Sequence, residues 1–512
     1  MTARIFCMSK RAWLWTFVSM LAVALVVLAL TASTDIAWAR PGGGSSFKGG
    51  SKSSGGGRSG GGGGGGGDGI GSLLIWLVLE HPALGIPILL IVIGIGAYNF
   101  YSKSQQREWS TTTAAPTSPS ANSSPSRGGS RELEAIRNYD ENFSVVLFED
   151  FLYALYAQVH TARGQNRLPQ LSAYVAADVS ATLARSTGGP ISDVVVGAMR
   201  VLLVNHGNLD GFTRVQVEFE TNYTETYQGR PQASYVREQW WLSRRVGVVS
   251  RTPDRARVFG CPNCGAPQEH VMAGSCKYCK QQVATGNFDW LVTRVDVLAR
   301  EARGPMLTAT TEEEGTDEPT RVDRQAHARM VELSQRDPEF TQPAFLARVN
   351  TIFQEFQVAW TNRDLTKMRA LLTDNLFETQ QYWVQTYTRA GLWNVIERSE
   401  ITKIDLARVT TDKFYDAITV RVFAQSLDYT IDGNRRVVSG SNRKLRRYTE
   451  YWTLIRGTQR KGAPRSDLGC PNCGAPLQVN MAGSCTHCKA KITTGDFDWV
   501  LSRIEQDETY EG

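Results

Sequence analysis

Histidine is scarce in this chain of 512 residues: six occur, His81, His160, His206, His270, His327 and His487. No His-Glu-x-x-His run or phosphate-cradling loop is present, and the Gly-x-Ser-x-Gly match at Gly57–Gly61 lies inside the Gly-rich stretch rather than between a strand and a helix. The motif basis for a zinc protease, an α/β-hydrolase or a P-loop nucleotidase is therefore missing. A strong charge of one sign is missing too. The formal net charge of +6 is modest for the length and does not by itself mark a nucleic-acid binder. Nine cysteines occur, and eight of them fall into two groups of four, with Cys7 alone.

The N-terminal quarter has little that can build a core. Arg4, Lys10 and Arg11 precede an apolar run, and Ala37-Trp38-Ala39 offers a cleavage site, so residues 1–39 read as a signal peptide or first membrane segment. Residues 40–69 form a Gly-rich loop with almost nothing to bury. Residues 70–101 contain "ALGIPILLIVIGIGAY" and read as a transmembrane helix, with Glu80, His81 and Pro82 at its interfacial edge. Lys103 and Arg107 follow it and suit a cytoplasmic flank. With the first segment cleaved or retained, the expected topology is the same. The chain is integral to a bacterial-type inner membrane, and its C-terminal domains face the cytoplasm.

A Ser/Thr/Pro-rich linker over 102–130 and an acidic linker over 299–332 set off two structured blocks. The blocks repeat one plan. Asp140, Phe143, Phe148, Leu168, Leu171, Val175 and Val179 match Asp337, Phe340, Phe345, Leu365, Met368, Leu372 and Leu376 at one constant offset. Later, "REQWWLSRR" parallels "TEYWTLIRG", and a four-cysteine module closes each block. Within a block the hydrophobic period changes. Phe345, Val349, Ile352, Phe353, Phe356 and Trp360 share a helical face, whereas Ile418, Val420 and Val422 alternate as in a strand. Asp432-Gly433-Asn434 signals a hairpin. The expected class is α+β, with helices packed on one face of a curved antiparallel sheet.

The stretch "DPEFTQPAFLARVNTIFQEFQVAWTNRDLTKMRALLTDNLFETQ" and the later "TEYWTLIRG" resemble the Tim44-like domain family. The first copy departs more, with Arg163 in place of the aromatic Trp360. The resemblance implies two cone-shaped Tim44-like (NTF2-like, cystatin-like) domains, at 131–257 and 333–466. It also implies an apolar pocket in each cone and membrane-associated adaptor work in protein translocation or assembly. On that basis Phe353, Phe356, Trp360, Trp383 and Trp452 are candidate pocket residues, although the same aromatics serve equally as core.

Cys261-x2-Cys264 with Cys276-x2-Cys279, and Cys470-x2-Cys473 with Cys485-x2-Cys488, match paired zinc knuckles. Each set is closed, so two structural Zn2+ sites are expected, one in each ribbon, over 258–298 and 467–508. Disulfides are the competing reading and would require an oxidising compartment. His487 is a rival ligand by position, but Tyr278 holds that place in the first copy. Phe288-Asp289-Trp290 and Phe497-Asp498-Trp499 are expected to pack each ribbon against its neighbour.

Arg244 and Arg245 in the first copy, and Arg443, Lys444, Arg446 and Arg447 in the second, form basic clusters suited to anionic lipid or a protein partner. A solvated strand face is the plainer reading. The reading as a whole is a membrane-anchored, non-enzymatic binding protein for peptide, protein or lipid. Two alternatives stand beside it. One is a cone-fold hydratase or isomerase, which would bring His160 and an acid together in the first cavity. The other is a zinc-ribbon nucleic-acid binder, disfavoured because the basic clusters lack interleaved aromatics.

Overall fold

In each copy a long helix starts from a side-chain cap. Ser144 accepts from the Leu147 N–H at 3.3 Å and opens helix α2 (Val145–Gly164); Thr341 accepts from Ala344 at 3.3 Å and opens helix α5 (Gln342–Asn362). The two caps occupy equivalent positions, and each satisfies an amide of the first turn that has no intrahelical partner. Pro343 sits in the first turn of α5, where its missing N–H costs nothing. Shorter helices precede and follow: α1 (Gly129–Glu134) and α3 (Ala177–Arg185) in the first copy; α4 (Ala326–Arg336), α6 (Leu365–Arg369) and α7 (Asp374–Arg389) in the second.

These elements come from a computed structural model, which describes residues 129–304, 307 and 316–512 except 187, 208, 209, 466–468, 508 and 511. The expected signal or membrane segments, the Gly-rich loop, nearly all of the Ser/Thr/Pro-rich linker and part of the acidic linker lie outside the described residues. Among the described residues no helix is long and apolar enough to cross a membrane.

Each copy folds a four-stranded antiparallel sheet. In the first, β1 (Ile191–Asn205), β2 (Phe212–Tyr227), β3 (Arg230–Arg245) and β6 (Leu291–Glu301) lie in that order. In the second the order is β7 (Trp393–Thr411), β8 (Tyr415–Ile431), β9 (Val437–Gly457) and β10 (Val500–Gln506). The expected turn at Asp432 joins β8 to β9, and the Asp432 carboxylate accepts from the backbone of Asn434 and Arg436. Mixed helix and antiparallel sheet is the observed class.

The sequence reading is corrected on one point of topology. The ribbon does not follow a finished domain. It is inserted between the third and fourth strands, because β6 returns from the first ribbon to pair with β3, and β10 returns from the second to pair with β9. The first ribbon itself carries the short pair β4 (Val271–Met272) and β5 (Ser275–Cys276). After each ribbon the chain also bridges back to the loop that precedes α3 in the first copy and α7 in the second. Val292 exchanges backbone bonds with Tyr174 and Ala176, and Leu501 does so with Leu371 and Thr373.

The long helix of each copy packs on one face of its sheet. Leu152, Tyr156 and Val159 meet Phe219 and Trp240 in the first core; Phe353 and Phe356 meet Val420 and Trp452 in the second. Burial of this kind, at about 25 cal/mol per Å2 of apolar surface, is the main force holding helices to sheet.

Candidate metal centres and the cavity between the copies

The structure brings both cysteine sets together. Within each set the four sulfurs lie within 4.8 Å of one another. Cys261 and Cys279 stand 3.8 Å apart, Cys264 and Cys276 3.7 Å, and Cys470 and Cys488 3.8 Å. A tetrahedron with Zn–S bonds of about 2.3 Å has edges of about 3.8 Å, so the holes fit a zinc-sized ion. They do not fit disulfides, whose sulfurs lie about 2.05 Å apart.

The knuckles owe this geometry to their turns. Gly265 and Gly474 adopt φ of +75° and +71°, a region that favours glycine. Their N–H groups close the turns onto Cys261 and Cys470 carbonyls at 2.8 Å. Burial pushes the Cys261 thiol up to about 12 and that of Cys470 to about 11. Hydrogen bonding to Asn263 and Asn472 draws Cys279 and Cys488 down to about 6. A dication bound between the four sulfurs would favour the thiolate form of each. His487 is exposed and outside the cluster.

Each ribbon is tied to its cone by the same buried set. Arg244 donates to Asp140 at 2.7 Å, and Arg456 donates to Asp337 at 2.8 Å. The aspartates also accept from the backbone N–H of Ser250 and Gly462. The guanidinium of Arg244 lies 4.7 Å from the ring of Trp290, and that of Arg456 lies 4.9 Å from Trp499. Phe143 and Phe340 flank the same cations. The Trp of each Phe-Asp-Trp segment is therefore a core residue that carries the end of the ribbon into the cone. In the sequence this set shows as the matched Asp-x-x-Phe and as the Phe-Asp-Trp segments expected to pack each ribbon, whereas Arg244 stands there as part of a basic cluster.

The cone interiors differ. In the first, fully buried His160 meets the Glu238 carboxylate at 3.1 Å, and the Trp240 indole N–H donates to the same oxygen at 2.9 Å. Burial drives the His160 pKa down, with Glu238 opposing only in part. Arg163 donates to the Tyr223 hydroxyl at 3.0 Å, and Tyr156 meets Thr221 at 2.9 Å. In the second copy Gln357 replaces His160, and Trp360 donates to Asn394 at 2.7 Å.

Of the five expected pocket residues, Phe353, Phe356, Trp360 and Trp452 pack the second core, because the helix lies directly on the sheet and leaves no room between them. Trp383 lines a different space. A cavity of about 790 Å3 opens between the two copies rather than within either. Its walls come from α2, β1, the loop around Arg257, α7 and β10. Ion pairs span the junction, Arg503 with Glu149 at 2.7 Å and Arg257 with Glu378 at 2.8 Å, and Arg257 also meets Asp150 of its own copy at 3.4 Å. Asn375 also donates to Asp150. Burial pushes Asp150 up to about 6, with Asp374 and Glu378 adding repulsion against Arg257.

The basic clusters divide in the same way. Arg244 is consumed by Asp140, and Arg446 lies 3.6 Å from Asp428 with its side chain 9% exposed. Arg245, Arg443, Lys444 and Arg447 remain exposed.

With this geometry in place, the comparisons can be read. A family model described as the Tim44-like domain matches residues 327–465. Residues 327–465 are a Tim44-like domain. The model matches the second copy and not the first, whose core exchanges Trp360 and Gln357 for Arg163 and His160. No curated protein matches the chain. Among solved structures, an "Ntf2 like protein involved in plasmid conjugation" is 8% identical with a TM-score of 0.16, over 70% of this chain and 96% of that one. At that score it carries no argument; the first copy shares the strand order of the second, and of the two expected Tim44-like domains only the second is matched.

Proposed function

We propose that the chain is a membrane-anchored, non-enzymatic adaptor that binds a protein, peptide or lipid at the cytoplasmic face of a bacterial-type inner membrane. The Tim44-like match is the observation that carries a binding role in general. The apolar segments read from the sequence over residues 1–101 support the anchorage. Two zinc ions hold the ribbons, and each ribbon holds the fourth strand of its cone in place. Binding then falls to surfaces rather than cone interiors, since those interiors are packed. Arg245, Arg443, Lys444 and Arg447 supply exposed positive charge, worth about 1 kcal/mol each near an anionic bilayer.

The enzyme alternative has one observation in its favour, the convergence of His160 and Glu238. Both side chains are sealed, at 0% and 1% exposure, and a substrate would need a path that packing closes. The adaptor reading is tested by flotation of the purified full chain with anionic and neutral vesicles, beside detergent co-purification of membrane proteins. Retention of a defined protein partner, with anionic preference lost in a variant lacking Arg443, Lys444 and Arg447, supports it. A chain that retains no partner and shows no lipid preference refutes it.

A further inference from the structure

We propose that the cavity between the copies is a docking channel for an extended polypeptide segment bearing basic side chains. This deepens the adaptor reading and rests on it. The first observation is which residues line the space. Val196, Gly197, Ala198, Met199 and Arg200 are consecutive in β1, and Ser502 to Gln506 are consecutive in β10. Side chains alternate faces along a strand, so a cavity lying on a sheet face touches every second residue. Bulges at Gly197 and Ser502 interrupt that alternation within both runs, so the edge position rests on the order of the strands in their sheets. Both strands are terminal in their sheets, β1 beside β2 and β10 beside β9, and the outer edge of β10 is bridged to the Leu371–Thr373 loop at Leu501, before the residues that line the cavity. Two sheet edges from different copies therefore wall one channel. A strand edge presents backbone donors and acceptors, the groups that an added extended peptide uses.

The second observation is charge. The lining includes the carboxylates of Glu149, Asp150, Asp254, Asp374, Asp496 and Glu505 and the cations of Arg200, Arg257, Lys491 and Arg503. Every one of these cations is already held: Arg200 by Glu218 and Glu220, Arg257 by Asp150 and Glu378, Lys491 by Asp374, Arg503 by Glu149 and Glu505. Six carboxylates face four cations in the lining, although Asp374 is held by Arg369 as well as by Lys491. The third observation is a waiting acceptor. Gln380 lines the cavity at 1% exposure, and its Oε1 has no hydrogen-bond partner. Apolar contact comes from Met199, Leu376, Trp383 and Ile504. A volume of about 790 Å3 lies in the range of sites that enclose a ligand.

The probe is a fluorescent peptide of roughly eight residues alternating Lys and Val, with a Glu/Val counterpart as control. Anisotropy titrations use the full chain in detergent. The Lys/Val peptide should bind, and the Glu/Val peptide should bind at least about tenfold more weakly. Ser502→Trp, which fills the channel, should weaken the Lys/Val complex at least about tenfold. Asp254→Lys with Asp496→Lys, both at exposed positions, should do the same without disturbing the fold. Equal affinity for the two peptides, or wild-type affinity in both variants, would overturn the channel. Co-purification on the same variants separates the two levels. If Ser502→Trp loses the peptide but the wild-type partner stays bound, the partner docks elsewhere and the channel falls while the adaptor reading stands. If wild type holds no partner, the adaptor reading falls and the channel with it.

Discussion

The two copies share a frame and differ in what they enclose. The metal knuckles, the Asp–Arg–Trp set and the bridge from the fourth strand to the helix loop recur residue for residue. The interior recurs only in part: Trp240 donates to Glu238 and Trp452 to Glu450, each at 2.9 Å, whereas His160 and Arg163 of the first copy give way to Gln357 and Trp360 in the second. The frame therefore tolerates a change of partner around a shared Trp–Glu bond. What both copies share is a four-cysteine insertion whose exit strand completes the sheet.

The largest expected effect tests that dependence. Cys470→Ser with Cys485→Ser should remove one of two bound zinc ions and, through Trp499 and β10, loosen the second cone while the first keeps its thermal transition. Structural zinc contributes about 10–16 kcal/mol in small metal-folded domains. Calorimetry checks this; two unaltered transitions would show that ribbon and cone are independent. Next comes the buried ion pair. Arg456→Met leaves Asp337 buried without its cation and should cost about 3–5 kcal/mol, and Arg244→Met should cost a similar amount through Asp140. Urea denaturation of both variants measures it, and a neutral result in either copy would break the equivalence.

A smaller effect separates the interiors. Folded His160 has a lowered pKa, so the unfolded chain takes up its proton first as pH falls below about 6.5. Stability from this group is present above that pH and is lost on acidification, at up to about 1.4 kcal/mol per pH unit. His160→Gln, which installs the second copy's residue, should flatten the first cone's acid sensitivity, and melting curves from pH 7 to 5 read it out. The smallest effect belongs to Arg245, which is exposed: Arg245→Ala should change stability by less than about 0.5 kcal/mol, unlike its neighbour Arg244.

That contrast also marks what the sequence could carry. The duplication, the helix faces, the strand alternation and the hairpin at Asp432 were legible because each is a local period or a turn rule. The cysteine sets were legible because ligand spacing is itself the geometry. Arg244 was not, since its role depends on Asp140, which lies 104 residues away in sequence. The insertion of each ribbon into its sheet was hidden for a related reason. The strand "LVTRVDVLARE" carries exposed Val297 and Leu298, so its pattern does not announce an edge strand of the preceding sheet. The channel between the copies belongs to neither repeat and leaves no mark in either.

Metal content is the most direct test of the account. Elemental analysis of the full chain, purified without added metal or chelator, should find two zinc ions per chain with all eight knuckle thiols released for titration only after the metal is removed. A metal-free chain, or one whose Cys261, Cys264, Cys276 and Cys279 are joined as disulfides, would contradict it.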